Sequence, residues 1–146
     1  MNQNYLPEVA AVLAGTGLQT WAKTAADGAA ATATAETVIG TVGSASGFAI
    51  GSCVFAPAAA LTGDNTNNAV ITVAKRTAAT PGTPVTIASL TTNVAAGNWT
   101  AWKAVSLTVA AGAFVSPGDV LTIAITKGGT GVVVPQGQLE IFPTVT

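Results

Sequence analysis

The 146-residue chain has no histidine, a single cysteine and little charge. Without histidine, the commonest general base and metal ligand is missing, so neither a Ser-His-Asp triad nor a histidine-activated thiol can be built. Cys53 stands alone, which rules out an intrachain disulfide and the disulfide-stapled class of small secreted domains. It lies in a strand-like stretch between Ser52 and Val54 and reads as a small packed side chain. Asp, Glu, Lys and Arg make up 8% of the chain, against roughly 25% in ordinary soluble proteins. The formal net charge is −1 and no Lys/Arg cluster occurs, so the basic stripe that nucleic-acid binding requires is absent. Ala25–Ala35 is too short, and too interrupted by Asp27 and Gly28, to span a bilayer, so no membrane partner is expected. The first residues lack a basic segment followed by an apolar run, and no secretory signal is expected. A lone monomer usually stays soluble through mixed surface charge. This chain must rely on uncharged polar side chains or cover much of its surface in an assembly, and weakly charged surface loses little when desolvated.

What is present is alanine, threonine and valine. Thirty of the apolar residues are alanine, so the core must come from fewer, larger side chains, among them 17 valines. Together with 23 threonines these give a β-branched vocabulary suited to half-buried pleated surfaces. The pattern alternates with period two. In Ala69–Thr77, Ile71 and Val73 are apolar while Thr72, Lys75 and Arg76 are polar; in Val120–Thr126, Leu121, Ile123 and Ile125 oppose Thr122, Ala124 and Thr126. Such alternation calls for sheets with one buried face.

Further strands are expected at Thr37–Val42, at Phe48–Ala56 with Phe48, Ile50 and Val54 on one face, and at Pro84–Thr91 with Val85 and Ile87 inward. Two more follow, at Trp102–Val109 with Val105, Leu107 and Val109 together, and at Gly131–Phe142. Pro135 and Gly137 interrupt the last one, which places it at an edge or gives it a bulge. Between them lie turn signals. Thr62–Asn68 is rich in residues that bond their own backbone, and Ser116-Pro117-Gly118-Asp119 fits a type II turn. Gly128-Gly129 reads as the turn of a hairpin. Seven or eight strands at this spacing predict an all-β, antiparallel, jelly-roll-like sandwich over residues 36–146. Residues 1–35 read as an irregular N-terminal arm. Pro7–Ala14 has a helix-compatible spacing stopped by Gly15 and Gly17, and Ala25–Ala35 is nearly low-complexity. The segment is either a loosely packed terminus or an arm that orders on a neighbouring subunit, with Tyr5, Leu6, Leu18 and Trp21 as anchors.

Chemistry-bearing residues are scarce. Asp64 and Asp119 lie in turns, where aspartate is expected for backbone reasons, so a carboxylate pair across a sugar cleft is not indicated. Asp64-Asn65-Thr66-Asn67-Asn68 concentrates oxygen ligands but lacks the spaced acids and closing glutamate of a calcium loop. Gly128–Gly131 lacks the lysine and following helix of a phosphate loop. No catalytic residue, metal site or cofactor is expected. Trp99 and Trp102, beside Lys103, form the one aromatic cluster. They read as a lid over one end of the sandwich, as a protein interface, or as a glycan-stacking platform.

The stretch Ala58–Arg76 (AAALTGDNTNNAVITVAKR), with its Asp-Asn-Thr-Asn turn before a strand ending Lys75-Arg76, resembles capsid decoration proteins of tailed bacteriophages. Pro117-Gly118-Asp119-Val120-Leu121-Thr122 before Lys127 carries the same resemblance, which covers roughly residues 36–142. Some tail and head-fibre modules share this style. The resemblance implies a non-enzymatic, jelly-roll-like structural protein, made in the host bacterial cytoplasm and carried on the capsid surface of the virion. It implies a homotrimer seated where major capsid protein subunits meet. It carries over no catalytic residue.

Overall fold

A computed structural model describes residues 19–23, 34–43 and 47–144. Among these described residues ten strands are formed: β1 Gln19–Lys23, β2 Thr34–Thr41, β3 Phe48–Pro57, β4 Asn68–Arg76, β5 Val85–Thr91, β6 Val105–Ser106, β7 Thr108–Val109, β8 Phe114–Val115, β9 Val120–Gly128 and β10 Gly137–Pro143. One sheet has the order β1-β10-β3-β6, with β8 also on β3; the other has the order β2-β9-β4-β5-β7. Every pairing is antiparallel, and the pairs nest: β4 with β5, then β3 with β6 and β8, then β2 with β9, then β1 with β10. Successive pairs fall alternately in the two sheets. An antiparallel ribbon rolled up in this way is a jelly roll, the all-β solution that the strand spacing called for.

The front of the chain departs from expectation. Gln19–Lys23 pairs along its whole length with β10, from Gln19 opposite Ile141 to Lys23 opposite Gly137. The next strand starts at Thr34 rather than Thr37. Residues 1–35 therefore contribute the outermost strand of the roll, and a boundary at residue 36 would cut through β2. Trp21 lies in β1 opposite Leu139, while Tyr5, Leu6, Leu18 and Pro7–Ala14 fall outside the described residues.

Where pairing is regular, alternation places side chains as read. Leu121, Ile123 and Ile125 are buried, and Ile125 and Ile123 sit opposite the buried Ile71 and Val73. Bulges break the pattern elsewhere. On β3 the register skips from Pro143 opposite Ile50 to Phe142 opposite Ser52, so Gly51 is an extra residue. A Cβ on Gly51 would stand 2.8 Å from the Pro143 carbonyl oxygen, so only glycine fits this close approach. Beyond the bulge the inward parity changes. Cys53, Phe55 and Pro57 are buried, and Val54, expected to share a face with Ile50, is only half-buried. Burial pushes the Cys53 thiol up to about 12.

A second shift, between Val73 and Ala74, leaves Ile87 as the extra residue on β5. Ile87, Ala88 and Leu90 are buried, whereas Val85, expected inward, is 45% exposed. The segment expected as one strand from Trp102 to Val109 switches sheets. Val105–Ser106 pairs with β3 and Thr108–Val109 with β5, and Leu107 turns the corner with its side chain buried and its N–H bonded to the Cys53 carbonyl at 2.8 Å. The last strand is neither an edge nor twelve residues long. It begins at Gly137 and lies between β1 and β3. Gly128-Gly129 is likewise not a hairpin turn, because β9 and β10 belong to different sheets. Gly129 and Gly131 take positive φ angles there, and the chain crosses between sheets with Val134 buried. The turn at Ser116–Asp119 forms as expected, with Gly118 at φ +85° and the Asp119 N–H bonded to the Ser116 carbonyl at 3.0 Å.

Candidate interaction surface

The ten residues of β3 run about 30 Å from one end of the sandwich to the other. At the Pro57 end lie the loops 58–67, 92–104 and 129–136. At the Phe48 end lie 77–84, 110–113 and 116–119. The two tryptophans of the expected cluster are both at the first end, yet they do opposite things.

Trp99 is 3% exposed. It exchanges two backbone hydrogen bonds with Leu61, donates its indole N–H to the Ala96 carbonyl at 2.8 Å, and meets Phe55 edge to face with ring centroids 5.8 Å apart. A ring fixed in this way closes the core beneath the loops and presents no surface to a partner, so Trp99 leaves the set of candidate contact residues. Trp102 is 80% exposed, the most open of the large apolar side chains among the described residues. Its backbone is left-handed, φ +64°, and is held there by its N–H on the Pro57 carbonyl (2.8 Å) and by the Lys103 N–H on the Thr100 carbonyl (3.2 Å). For a residue with a Cβ this conformation costs about 1–2 kcal/mol. Strain of this kind persists only where the surroundings impose it.

The loops at this end are tied by carboxamides. Asn65 Oδ1 accepts from the Val94 N–H at 3.0 Å, and Asn98 Oδ1 accepts from the Gly63 N–H at 3.1 Å. Asn67 Oδ1 accepts both the N–H (2.9 Å) and the hydroxyl (2.8 Å) of Thr130. The three loops are thereby tied to one another by neutral groups. Asp64 is the acid in this network. Its Oδ1 accepts the N–H groups of Thr66 and Asn67, each at 2.7 Å. Those bonds, Asn67 first and then Thr66, hold its carboxyl below the ordinary aspartate value. Asp64 therefore serves its own turn.

The Phe48 end is tied by charge. Lys75 Nζ donates to the Phe114 carbonyl at 2.6 Å and lies 3.5 Å from Asp119 Oδ2. The buried Asp119 carboxylate also accepts the Ser116 N–H at 2.9 Å. On the outer face of the second sheet, Arg76 makes a two-point pair with Glu36 and also donates to the Pro81 carbonyl. Glu36 further accepts the buried Thr122 hydroxyl. The Arg76 bonds, then Thr122, lower the Glu36 carboxyl, and Glu36 raises Arg76 in turn. With Lys127 Nζ on the Val132 carbonyl, most of the charged side chains among the described residues bond within the fold. Uncharged side chains make up most of the exposed positions among the described residues.

Beside Lys75 a cavity of about 180 Å³ opens to solvent, its lining including Val85, Ile87, Ala110, Ala111 and Phe114. Val85 and Phe114, both near 45% exposed, flank it. Sequence periodicity could not find it, because the bulge at Ile87 is what turns Val85 outward. Among the described residues no cluster of three or more metal-ligating side chains occurs. Comparison with known proteins by family, by sequence and by structure finds no match.

Proposed function

We propose that this chain is a non-enzymatic structural virion protein that binds the outside of a phage capsid as a homotrimer and stabilises contacts between major capsid protein subunits. The observation that carries the reading is the disposition of charge. A jelly roll already poor in ionisable groups bonds most of those among its described residues to its own backbone or to each other. Its outside can be covered without the large desolvation cost that charged side chains would impose. A capsid filled with DNA is under internal load, and a rigid domain bridging several subunits adds contact area at their junctions.

A second reading, a receptor- or glycan-binding module of a head or tail fibre, is favoured by the exposed indole of Trp102. It loses the paired platform, because Trp99 is inside the core.

The test is to identify the chain in purified virions by mass spectrometry and to locate its density by cryo-electron microscopy. Density at capsid subunit junctions supports the first reading; density on a fibre overturns it in favour of the second. The arm carrying Tyr5, Leu6 and Leu18 is tested separately by deleting residues 2–18, which stops short of β1. The truncated chain should stay folded and lose capsid occupancy; unchanged occupancy would remove the arm from the account.

A further inference from the structure

Two features have no part in holding the fold together: the strained, exposed Trp102 and the open cavity beside Lys75. They lie at opposite ends of the sandwich, since Trp102 is bonded to Pro57 at one end of β3 while Phe114 pairs with Ala49 near the other. We propose that copies of this chain associate head to tail, the Trp102 side chain of one copy entering the cavity between Val85, Ala111 and Phe114 of the next. The inference rests on the self-association in the reading above and not on the capsid.

The cavity suits a side chain better than a free ligand. At about 180 Å³ it falls below the roughly 300–1,000 Å³ of pockets that enclose a small molecule. Its walls are apolar, with a phenyl ring at the rim and an ammonium group in the lining. An indole prefers both neighbours: an aromatic edge or offset face, and a cation against its electron-rich ring. Lys75 thus complements the face of the entering ring while keeping its bonds to Phe114 and Asp119. Docking would also cover Val85, which the bulge at Ile87 turns outward, and Phe114. On the other side, the asparagine ties join the loops around Trp102, which lowers the cost of ordering their backbone on docking. A contact between different patches is heterologous; repeated, it makes a ring where the rotation between copies closes and an open filament where it does not.

The experiment is sedimentation of the full chain over a range of concentrations, with Trp102→Ala and two cavity-blocking variants, Ala111→Arg and Val85→Lys. Far-ultraviolet circular dichroism and thermal unfolding confirm that each variant is folded. Wild-type protein should associate, and each variant alone should associate about thirtyfold more weakly, the scale of a lost anchor residue. An equimolar mixture of Trp102→Ala with Ala111→Arg should form a heterodimer, because one intact indole then meets one intact cavity. Folded Trp102→Ala with wild-type association would overturn the inference, as would a mixture that stays monomeric. A wild-type chain that is monomeric at every concentration would overturn the inference and the trimer together. Capsid binding by that monomer would leave the capsid reading standing.

Discussion

The two ends of this sandwich lock their loops by different chemistry. At the Pro57 end, carboxamides of Asn65, Asn67 and Asn98 reach across to the backbones of neighbouring loops. At the Phe48 end and on the adjoining outer face, Lys75–Asp119 and Arg76–Glu36 pairs do the same work. The contrast shows where a chain with so few ionisable groups can place them. It sets both of these ion pairs at or beside the Phe48 end, while the loops of the Pro57 end are tied to one another by carboxamides. Neutral ties are indifferent to salt and pH, whereas exposed ion pairs are screened by one and titrated by the other. The ties between loops at the Pro57 end should therefore hold in added salt that loosens the opposite end, while acid acts at both ends, through Asp64 at the one and Glu36 beside the other.

The sharpest contrast lies within the neutral end. Trp99→Ala removes a buried ring and its contact with Phe55, and should cost about 3–5 kcal/mol in chemical denaturation. Trp102→Ala, three residues away, should stay within about 0.5 kcal/mol of wild type. Replacement by glycine there should stabilise, by relieving the left-handed backbone of its Cβ. A large loss at Trp102 would mean that its ring is part of the core and not of the surface.

Next in size is Asn67→Ala. It leaves the Thr130 N–H and hydroxyl without their acceptor and should cost about 1–2 kcal/mol. Measured in low salt and again in concentrated sodium chloride, the loss should be the same. A salt-dependent loss would break the distinction between the ends.

The smallest effects belong to the charged side. Glu36→Gln should lower the melting temperature slightly at low ionic strength, and the difference should shrink as salt is added, because the pair is partly exposed. Its pH dependence has a definite sign. The Glu36 carboxyl is lowered in the folded chain, so its contribution is present above the unfolded-state value near 4.5 and is lost as pH falls through the folded value. Asp64, lowered by its turn N–H groups, adds in the same direction below its own ordinary value of 3.8. Melting temperature should fall on acidification below about pH 4.5, and Glu36→Gln should flatten part of that slope. A slope unchanged by the substitution would assign the acid sensitivity elsewhere.

The same contrast between ends explains what could be read before the fold was seen. Strands β4 and β9 pair without interruption against each other, so their alternation translated directly into burial. On β3 and β5 a single extra residue changed the parity, and period two carries no sign of which residue will bulge: Gly51 was visible as a glycine, Ile87 was not visible at all. The first strand, Gln19–Lys23, is hidden by its neighbourhood, since the alanine-rich run after it carries no strand pattern. The turn residues Asp64 and Asp119 were legible because their partners lie two or three residues away. Asn65, Asn67 and Asn98 read only as loop formers, because their partners lie 29, 63 and 35 residues distant. Trp99 and Trp102 are identical in type, and only the bridge to Leu61 and the left-handed turn after it decide which one is inside.

The central claim is that this surface is built to be covered through neutral contacts. For the proposed capsid role the most direct measurement is cosedimentation of the purified chain with heads of any virion in which mass spectrometry finds it, stripped of this protein, in low salt and in about 1 M salt, where screening reduces the Debye length to roughly 3 Å. The account predicts saturable binding of nearly equal affinity in both. Binding that disappears in high salt, or no binding to heads at all, would contradict it.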